Sequence, residues 1–312
     1  MFAKPITLLS LAALGQAREF SRQACDAVPG NATATAARIV YDDRIKANAR
    51  KADFDSSTGP YGPDFVKGQN LTFSQLVAFP AVPPSLFDTK VNAKPFEVQI
   101  KQSPPLHPDP DFSIFVPNPT NPSSAQTAVR RTKLSPSTTA NLTTGIKTLH
   151  VSLRPSIEHP LNKSHEYSLV FLERGDFSAD LFMLRTGTLL GSNGSTKNDL
   201  VLQGNTASGT KTLFTTPSTA DAWTNIALQL DFSANTIQAF SSTGNAPLVQ
   251  ATAPLENDLS GNGQFHFGVN KNPTNPGADV LRSGLQESRI LEGVVYGGTF
   301  VEDVGNGTVT LA

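Results

Sequence analysis

Short apolar or alternating runs recur along the second half of the chain, separated by Gly, Asn, Ser and Thr. Runs of this kind predict β-strands, and no window shows a 3.6-residue period with caps at both ends. The two-residue gap between Phe232 and Asn235 predicts a tight hairpin. The runs are TLHVSL (148–153), YSLVFLE (167–173), DLFMLRT (180–186), DLVLQG (199–204), NIALQLDF (225–232), NTIQAFSS (235–242) and QFHFGV (264–269).

Many short strands at roughly ten-residue spacing indicate an all-β fold. One open sheet of this size would leave long edges exposed, so we expect two packed antiparallel sheets. A jelly-roll β-sandwich is the architecture that this pattern favours. The Pro- and Asn-rich residues of 102–126 and the segment 50–64 predict loops.

The period of two within the strands separates two candidate site residues from the core. In QFHFGV the two phenylalanines and Val269 share one face, which leaves His266 facing solvent or a concave cleft. In YSLVFLE both faces are apolar until Glu173. From the residues alone, Glu173 is either a catalytic acid or base or a charge at a strand end. His266 is either an acid/base or a surface histidine.

The first residues have the layout of a secretory signal peptide. Residues 1–17 contain an early Lys4, an apolar run from Ile6 to Leu14 and a small residue, Ala17, at the expected cleavage position. The run is shorter than the roughly 20 residues that a membrane span needs. An amphipathic N-terminal anchor is the alternative. Residues 18–37 predict an irregular leader, and residues 38–312 a single domain.

The sequons predict secretion, as the signal-peptide layout does, and the single cysteine bears on how the fold is stabilised. Six N-x-Ser/Thr sequons without an intervening Pro, behind a signal peptide, predict a secreted, extracellular glycoprotein. Cys25 is the only cysteine, so no internal disulfide forms and stability has to come from a large core. The sequon asparagines are Asn31, Asn70, Asn141, Asn162, Asn193 and Asn306.

Charge and motifs exclude several classes of function. With 25 Lys and Arg against 26 Asp and Glu, the net charge is −1, so we expect a neutral substrate and neither nucleic acid nor membrane as a partner. No Walker, dinucleotide or G-x-S-x-G pattern is present, and we expect no cofactor and a monomer. The cluster Glu158, His159, His165 and Glu166 matches no standard metal spacing.

The stretch AVRRTKLSP places three cations, Arg130, Arg131 and Lys133, within four positions of a predicted strand. This segment is a solvated basic face, a phosphate site, or a place where an acid is missing. Phosphate binding lacks its usual Gly-rich partner. In VYDDRI, Asp42 and Asp43 are most simply solvated charges at a strand end.

The chain resembles fungal glycoside hydrolase family 131 from about residue 38 to its end. The block at 283–303 is the most specific part of this similarity. The segments that carry it are VYDDRI (40–45), PSLFD (84–88), VRRTKLSP (129–136), LNKSHEYSLVFLERGDFSADLFMLRTGT (161–188), AWTNIALQLDFSANTIQAFSSTGNAPL (222–248), NDLSGNGQFHFGV (257–269) and SGLQESRILEGVVYGGTFVED (283–303).

The resemblance implies a secreted β-jelly roll that acts on β-glucan polysaccharides or oligosaccharides with β-1,3, β-1,6 or β-1,4 linkages, in a cleft on the concave sheet. It also implies four site positions. The arginine of an R-x-E pattern corresponds to Arg131, the glutamate on the strand after HEY to Glu173, and the histidine of an H-x-G strand to His266. The family's other glutamate corresponds to Lys133, because RRxEL reads RRTKL here.

A lysine at this position puts hydrolysis in doubt. Glycoside hydrolysis normally needs two carboxyl groups, and an ammonium repels an oxocarbenium-like transition state. The hypotheses are therefore an active β-glucanase, a catalytically weakened paralogue that binds glucan as a lectin-like module, and a secreted scaffold or host-interaction protein. We expect weak or absent sugar release, and a gain on Lys133→Glu, unless another carboxyl group stands opposite Glu173.

Overall fold

The computed structural model describes residues 37–63, 66–68, 71–102, 113–305 and 308–312. The predicted signal peptide, nearly all of the predicted leader and Cys25 lie outside these residues. The predicted sequons at Asn31, Asn70 and Asn306 lie outside them as well.

Fifteen strands in the described residues form two antiparallel sheets. Numbered along the chain, the strands are β1 (Arg38–Asp42), β2 (Val77–Ala78), β3 (Phe96–Lys101), β4 (Arg130–Leu134), β5 (Ile146–Pro155), β6 (Glu166–Arg174), β7 (Asp180–Gly187), β8 (Asp199–Gln203), β9 (Thr212–Pro217), β10 (Thr224–Asp231), β11 (Thr236–Thr243), β12 (Val249–Gln250), β13 (Leu255–Glu256), β14 (Gly263–Lys271) and β15 (Leu291–Asp303). The nine-stranded sheet has the order β12-β11-β10-β5-β15-β3-β2, with β1 paired to β15 and β13 to β11, and the six-stranded sheet has the order β4-β14-β6-β7-β8-β9.

The predicted all-β sandwich of two antiparallel sheets is confirmed. Within the described residues the helical elements are four short 3-10 helices, so two of the predicted loops contain single turns of helix. The tight hairpin between β10 and β11 is longer than predicted: Asp231 pairs with Thr236, and the connection has four residues. The 3-10 helices are Lys51–Asp55, Phe73–Gln75, Pro122–Ser124 and Thr206–Ser208.

The main core lies between the two sheets and follows the period of two. Phe265, Phe267 and Val269 of β14 are at most 1 % exposed and pack against inward-facing residues of β5 and β10 such as Leu149 and Leu228. Each fully buried side chain of this size contributes about 1.5–3 kcal/mol through removal of apolar surface from water. Because the chain has a single cysteine and no internal disulfide, its stability comes from this core.

A bulge lies in β14, the strand next to the edge strand β4 of the six-stranded sheet. Gly268 has φ +146°, and a Cβ there would lie 2.0 Å from the Thr132 carbonyl oxygen, so the position requires glycine. The Tyr296 hydroxyl accepts a hydrogen bond from the Gly268 amide and lies 2.7 Å and 2.9 Å from the carbonyl oxygens of Gly268 and Leu169. One buried side chain thus ties β15 to β14 and β6 across the core.

Candidate active site

The outer face of the six-stranded sheet brings together the four positions predicted from the sequence. Arg131 and Lys133 lie on β4, His266 on β14 and Glu173 on β6, which are three adjacent strands. Neighbouring side chains of β4 point inward: Leu134 belongs to the core, and Thr132 donates a hydrogen bond to the Gln99 carbonyl oxygen of β3. We call the side formed by Arg131, Lys133, Glu173, Asp180 and His266 the site face.

His266 connects Glu173 to a serine that the sequence did not single out. Its Nε2 lies 3.0 Å from Oε2 of Glu173, in a bent contact, and its Nδ1 lies 2.7 Å from Oγ of Ser135. Burial lowers the pKa of His266, although the Glu173 carboxylate opposes that shift. The imidazole is therefore neutral at neutral pH. In the tautomer that this geometry favours, Ser135 donates to Nδ1, and the hydrogen on Nε2 lies beside Glu173 without forming a hydrogen bond of normal geometry.

The side chains of His266 and Lys133 both pack against the ring of Phe171. The imidazole of His266 stacks on Phe171 at a centroid distance of 4.8 Å, and Nζ of Lys133 lies 4.5 Å from the Phe171 ring centroid. A cation over an aromatic face is attracted by the ring quadrupole. The Lys133 side chain is 6 % exposed. The lysine is therefore fixed on the site face.

Burial acts on both cations of β4. It lowers the pKa of Lys133 to about 8, with the charge of Arg131 acting in the same direction and the carboxylates of Glu173 and Asp180 opposing it. Burial also lowers the pKa of Arg131 to about 10. Both residues are consequently positive below pH 8, and the site face carries two cations in acidic solution.

Glu173 is kept ionised by the two cations of β4 and by its contact with His266. Burial by itself disfavours the carboxylate, but His266, Lys133 and Arg131 outweigh burial and bring the pKa of Glu173 below its ordinary value. The side chain remains 26 % exposed and is thus accessible to a ligand. Glu173 is an accessible carboxylate that stays negative in mildly acidic solution.

Asp180 is a second carboxyl group on the site face that sequence reasoning missed. It begins β7 and pairs directly with Glu173 across the β6–β7 hairpin. Leu181 and Phe182 both belong to the core, so the side-chain alternation of β7 breaks between them and Asp180 returns to the outer face. Burial raises the pKa of Asp180 to about 6, and Glu173 adds to that shift while Lys133 opposes it.

Asp43 corrects another expectation, because it is buried and does not lie in solvent at a strand end. It is 1 % exposed and adjoins the phenols of Tyr41 and Tyr61. Burial raises its pKa well above the ordinary value. Asp42, by contrast, is exposed and binds Arg44 at 2.6 Å, as expected for a solvated carboxylate.

The histidine and glutamate cluster around residues 158–166 is divided among separate pairs. His159 contacts Glu97 at 3.0 Å, and His165 lies 3.0 Å from Glu287. Glu166 instead lies 3.3 Å from Arg185. Among the residues that the structure describes, no group of three or more His, Cys, Asp or Glu is placed to hold a metal ion.

A cavity of about 550 Å³ lies among residues 40–60 and Ser137 and shares no lining residue with the site face. Its carboxylates Asp42 and Asp53 form ion pairs with Arg44 and Arg50. On the site face the pKa of Glu173 is lowered and that of Asp180 is raised. Acid–base catalysis requires a pair of carboxyl groups whose pKa values differ in this way, so we place the candidate site there.

Surface features complete the description of the chain. The sequon asparagines Asn141, Asn162 and Asn193 are exposed, and their glycosylation stays a prediction. No helix within the described ranges is long and apolar enough to cross a membrane.

Comparison with known proteins gives one family. The model of the glycoside hydrolase 131 catalytic N-terminal domain matches residues 39–307. A GH131 β-glucanase catalytic domain from Podospora anserina is similar in structure, with a TM-score of 0.66 and 23 % identity over 88 % of this chain and 98 % of that chain. The catalytic domain of a family 131 protein from Coprinopsis cinerea gives 0.62 and 22 % over the same shares. No curated protein matches significantly.

Proposed function

The chain belongs to the family of glycoside hydrolase 131 catalytic N-terminal domains, and from this premise we propose that it is a secreted hydrolase of β-glucans. Its substrates under this proposal are neutral glucose polymers or oligomers with β-1,3, β-1,6 or β-1,4 linkages. The β-glucanase named among its structural relatives supports the substrate class. The net charge of −1 agrees with a neutral substrate.

The observation that carries the proposal is the ionised, accessible carboxylate of Glu173. Cleavage of a glycosidic bond passes through an oxocarbenium-like transition state, which an adjacent carboxylate stabilises. The carboxylate also acts either as the nucleophile that attacks the anomeric carbon or as the base that activates a water molecule. His266 lies 3.0 Å from this carboxylate, and Ser135 in turn fixes the imidazole. His266, Lys133 and Arg131 hold the carboxylate of Glu173 in its ionised form on the site face.

A product assay on a panel of glucans tests the proposal. The purified protein is incubated with β-1,3-, β-1,6- and β-1,4-linked glucans, and released sugars are separated and quantified. We expect release from at least one linkage and none by Glu173→Ala. Asp221→Asn, a substitution in an exposed loop, serves as the matched control. Absence of products from every glucan with a folded native protein contradicts the proposal.

One observation favours a second function, glucan binding without cleavage. The Lys133 ammonium lies on the site face over Phe171, where it repels a positive transition state. A polar face without turnover would still bind sugar hydroxyls. Co-sedimentation with insoluble β-glucan, combined with the product assay, distinguishes the two functions: binding with no products at any linkage supports the second.

A further inference from the structure

The backbone of Asp180 is held in place, whereas its side chain has no partner of its own. Its backbone amide donates to Oγ1 of Thr206 at 2.9 Å, and its backbone carbonyl lies 3.4 Å from the same hydroxyl. Among the described residues, its carboxyl group accepts no hydrogen bond and forms no ion pair within 4.0 Å. Glu166, by contrast, accepts hydrogen bonds from the Asn272 side chain and from the Leu190 amide. Asp180 is therefore a positioned carboxyl group that is free to act on a ligand.

Its position relative to Glu173 is set by the sheet. The two residues form the last pair of the β6–β7 ladder before the turn. Directly opposed residues of antiparallel strands share a face and have Cβ atoms about 4.5–5.5 Å apart. Carboxyl groups on two such positions can lie at the separations of about 5 to 9.5 Å that glycosidase pairs use.

We propose that Asp180 is the second carboxyl group of the site and the general acid that protonates the glycosidic oxygen. This assignment rests on the proposed function. It gives the chain both carboxyl groups that hydrolysis needs, on neighbouring strands. The missing carboxyl group is then no longer a reason to expect a weakened enzyme, whereas the Lys133 ammonium still repels a positive transition state.

The proposed step conserves atoms and charge. The Asp180 proton passes to the leaving oxygen as the bond from that oxygen to C1 breaks, and the bonding electron pair stays on the oxygen. One water supplies the new oxygen on C1. In a single displacement Glu173 takes the proton of that water; with a covalent Glu173 ester, the Asp180 carboxylate takes it during the second half of the reaction.

The environment of the site face separates the pKa values of Glu173 and Asp180 in the direction that a general acid and an ionised partner require. Burial and the charge of Glu173 raise the pKa of Asp180, while Lys133, Arg185 and Arg131 act against that rise without cancelling it. The pKa of Glu173 is lowered by His266, Lys133 and Arg131 in spite of burial. Between the lowered pKa of Glu173 and about pH 6 the pair therefore holds one proton, which resides on Asp180.

Leaving-group dependence tests the assignment. Native protein, Asp180→Asn and the control Asp221→Asn are assayed on a β-1,3-glucan and on dinitrophenyl β-laminaribioside, whose leaving group departs without protonation. We expect Asp180→Asn to lose about 10²–10⁴-fold in kcat/KM on the glucan and less than about tenfold on the aryl substrate. A structural role would lower both rates equally.

The pH profile of the native protein gives a second readout that needs no variant. Activity on the glucan should fall above about pH 6, where Asp180 loses its proton, whereas activity on the aryl substrate should persist. Unchanged glucan activity in Asp180→Asn, equal losses on both substrates, or identical basic limbs for both substrates overturn the assignment while leaving the proposed function intact. A native protein inactive on both substrates overturns the proposed function and the assignment with it.

Discussion

Replacing Lys133 with methionine removes a buried positive charge from the site face while keeping a side chain of similar length over Phe171. The ammonium lowers the pKa of both Glu173 and Asp180. A carboxylate loses stabilisation when an adjacent cation is removed, so both pKa values should rise in Lys133→Met. We therefore expect the acidic and the basic limb of the kcat/KM profile to move together toward higher pH.

The size of the shift follows from Coulomb's law. At separations of roughly 5 to 10 Å and an effective dielectric constant of about 20, one charge contributes about 1.7 to 3.3 kcal/mol. This corresponds to about 1 to 2 pKa units. Because Glu173 is 26 % exposed and partly screened, we expect the lower end, about one unit, for its limb.

The assay is the pH dependence of initial rates on a soluble β-1,3-glucan, with Lys133→Arg as the control that keeps the charge. Limbs that stay in place in Lys133→Met would refute the electrostatic reasoning, as would an equal shift in Lys133→Arg. Lys133→Glu separates two accounts of the site. A gain in hydrolysis shows that position 133 lacks a catalytic carboxylate, whereas no gain is expected with Asp180 as the acid.

Three further substitutions test other parts of the account. His266→Gln should raise the pKa of Glu173 and move the acidic limb upward, since the imidazole stabilises that carboxylate; an unmoved limb contradicts this. Tyr296→Phe leaves the buried Gly268 amide without its partner and should cost about 1–3 kcal/mol of unfolding free energy in urea, whereas equal midpoints contradict the bridge. Phe177→Gly relieves a left-handed conformation, φ 61°, in an exposed turn and should raise the thermal midpoint; a fall contradicts stored strain.

The strands and the inward face of β14 could be predicted because local alternation determines them. Phe265 and Phe267 lie in the core as the period of two requires, and His266 lies on the opposite side. Glu173 could be marked because it is the first charge at the end of an apolar run. These features depend on neighbours within a few residues along the chain.

Asp180 could not be predicted by the same rule. Strict alternation in DLFMLRT assigns Asp180 to the face of Phe182, which is the core face. The bulge that returns it to the site face depends on pairing with β6 and on packing between the sheets. A usable signal was the hairpin itself, since Glu173 and Asp180 flank its short turn and must therefore oppose each other.

The burial of Asp43 and the contact of Ser135 with His266 could not be predicted for a related reason. Asp43 adjoins Tyr61, and Ser135 contacts His266, which is 131 positions further along the chain. Contacts of this kind exist only after the sheets have formed. Sequence periodicity identifies the face of a strand, but it does not identify the partner from a distant strand.

Under the proposed function, Glu173 acts as the ionised carboxylate in β-glucan hydrolysis. A comparison of kcat/KM on a β-1,3-glucan oligosaccharide for native protein and Glu173→Gln, at a pH between the pKa values of Glu173 and Asp180, tests this role. We expect a loss of at least about 10²–10⁴-fold with binding of the oligosaccharide retained. Equal kcat/KM values for the two folded proteins would contradict it.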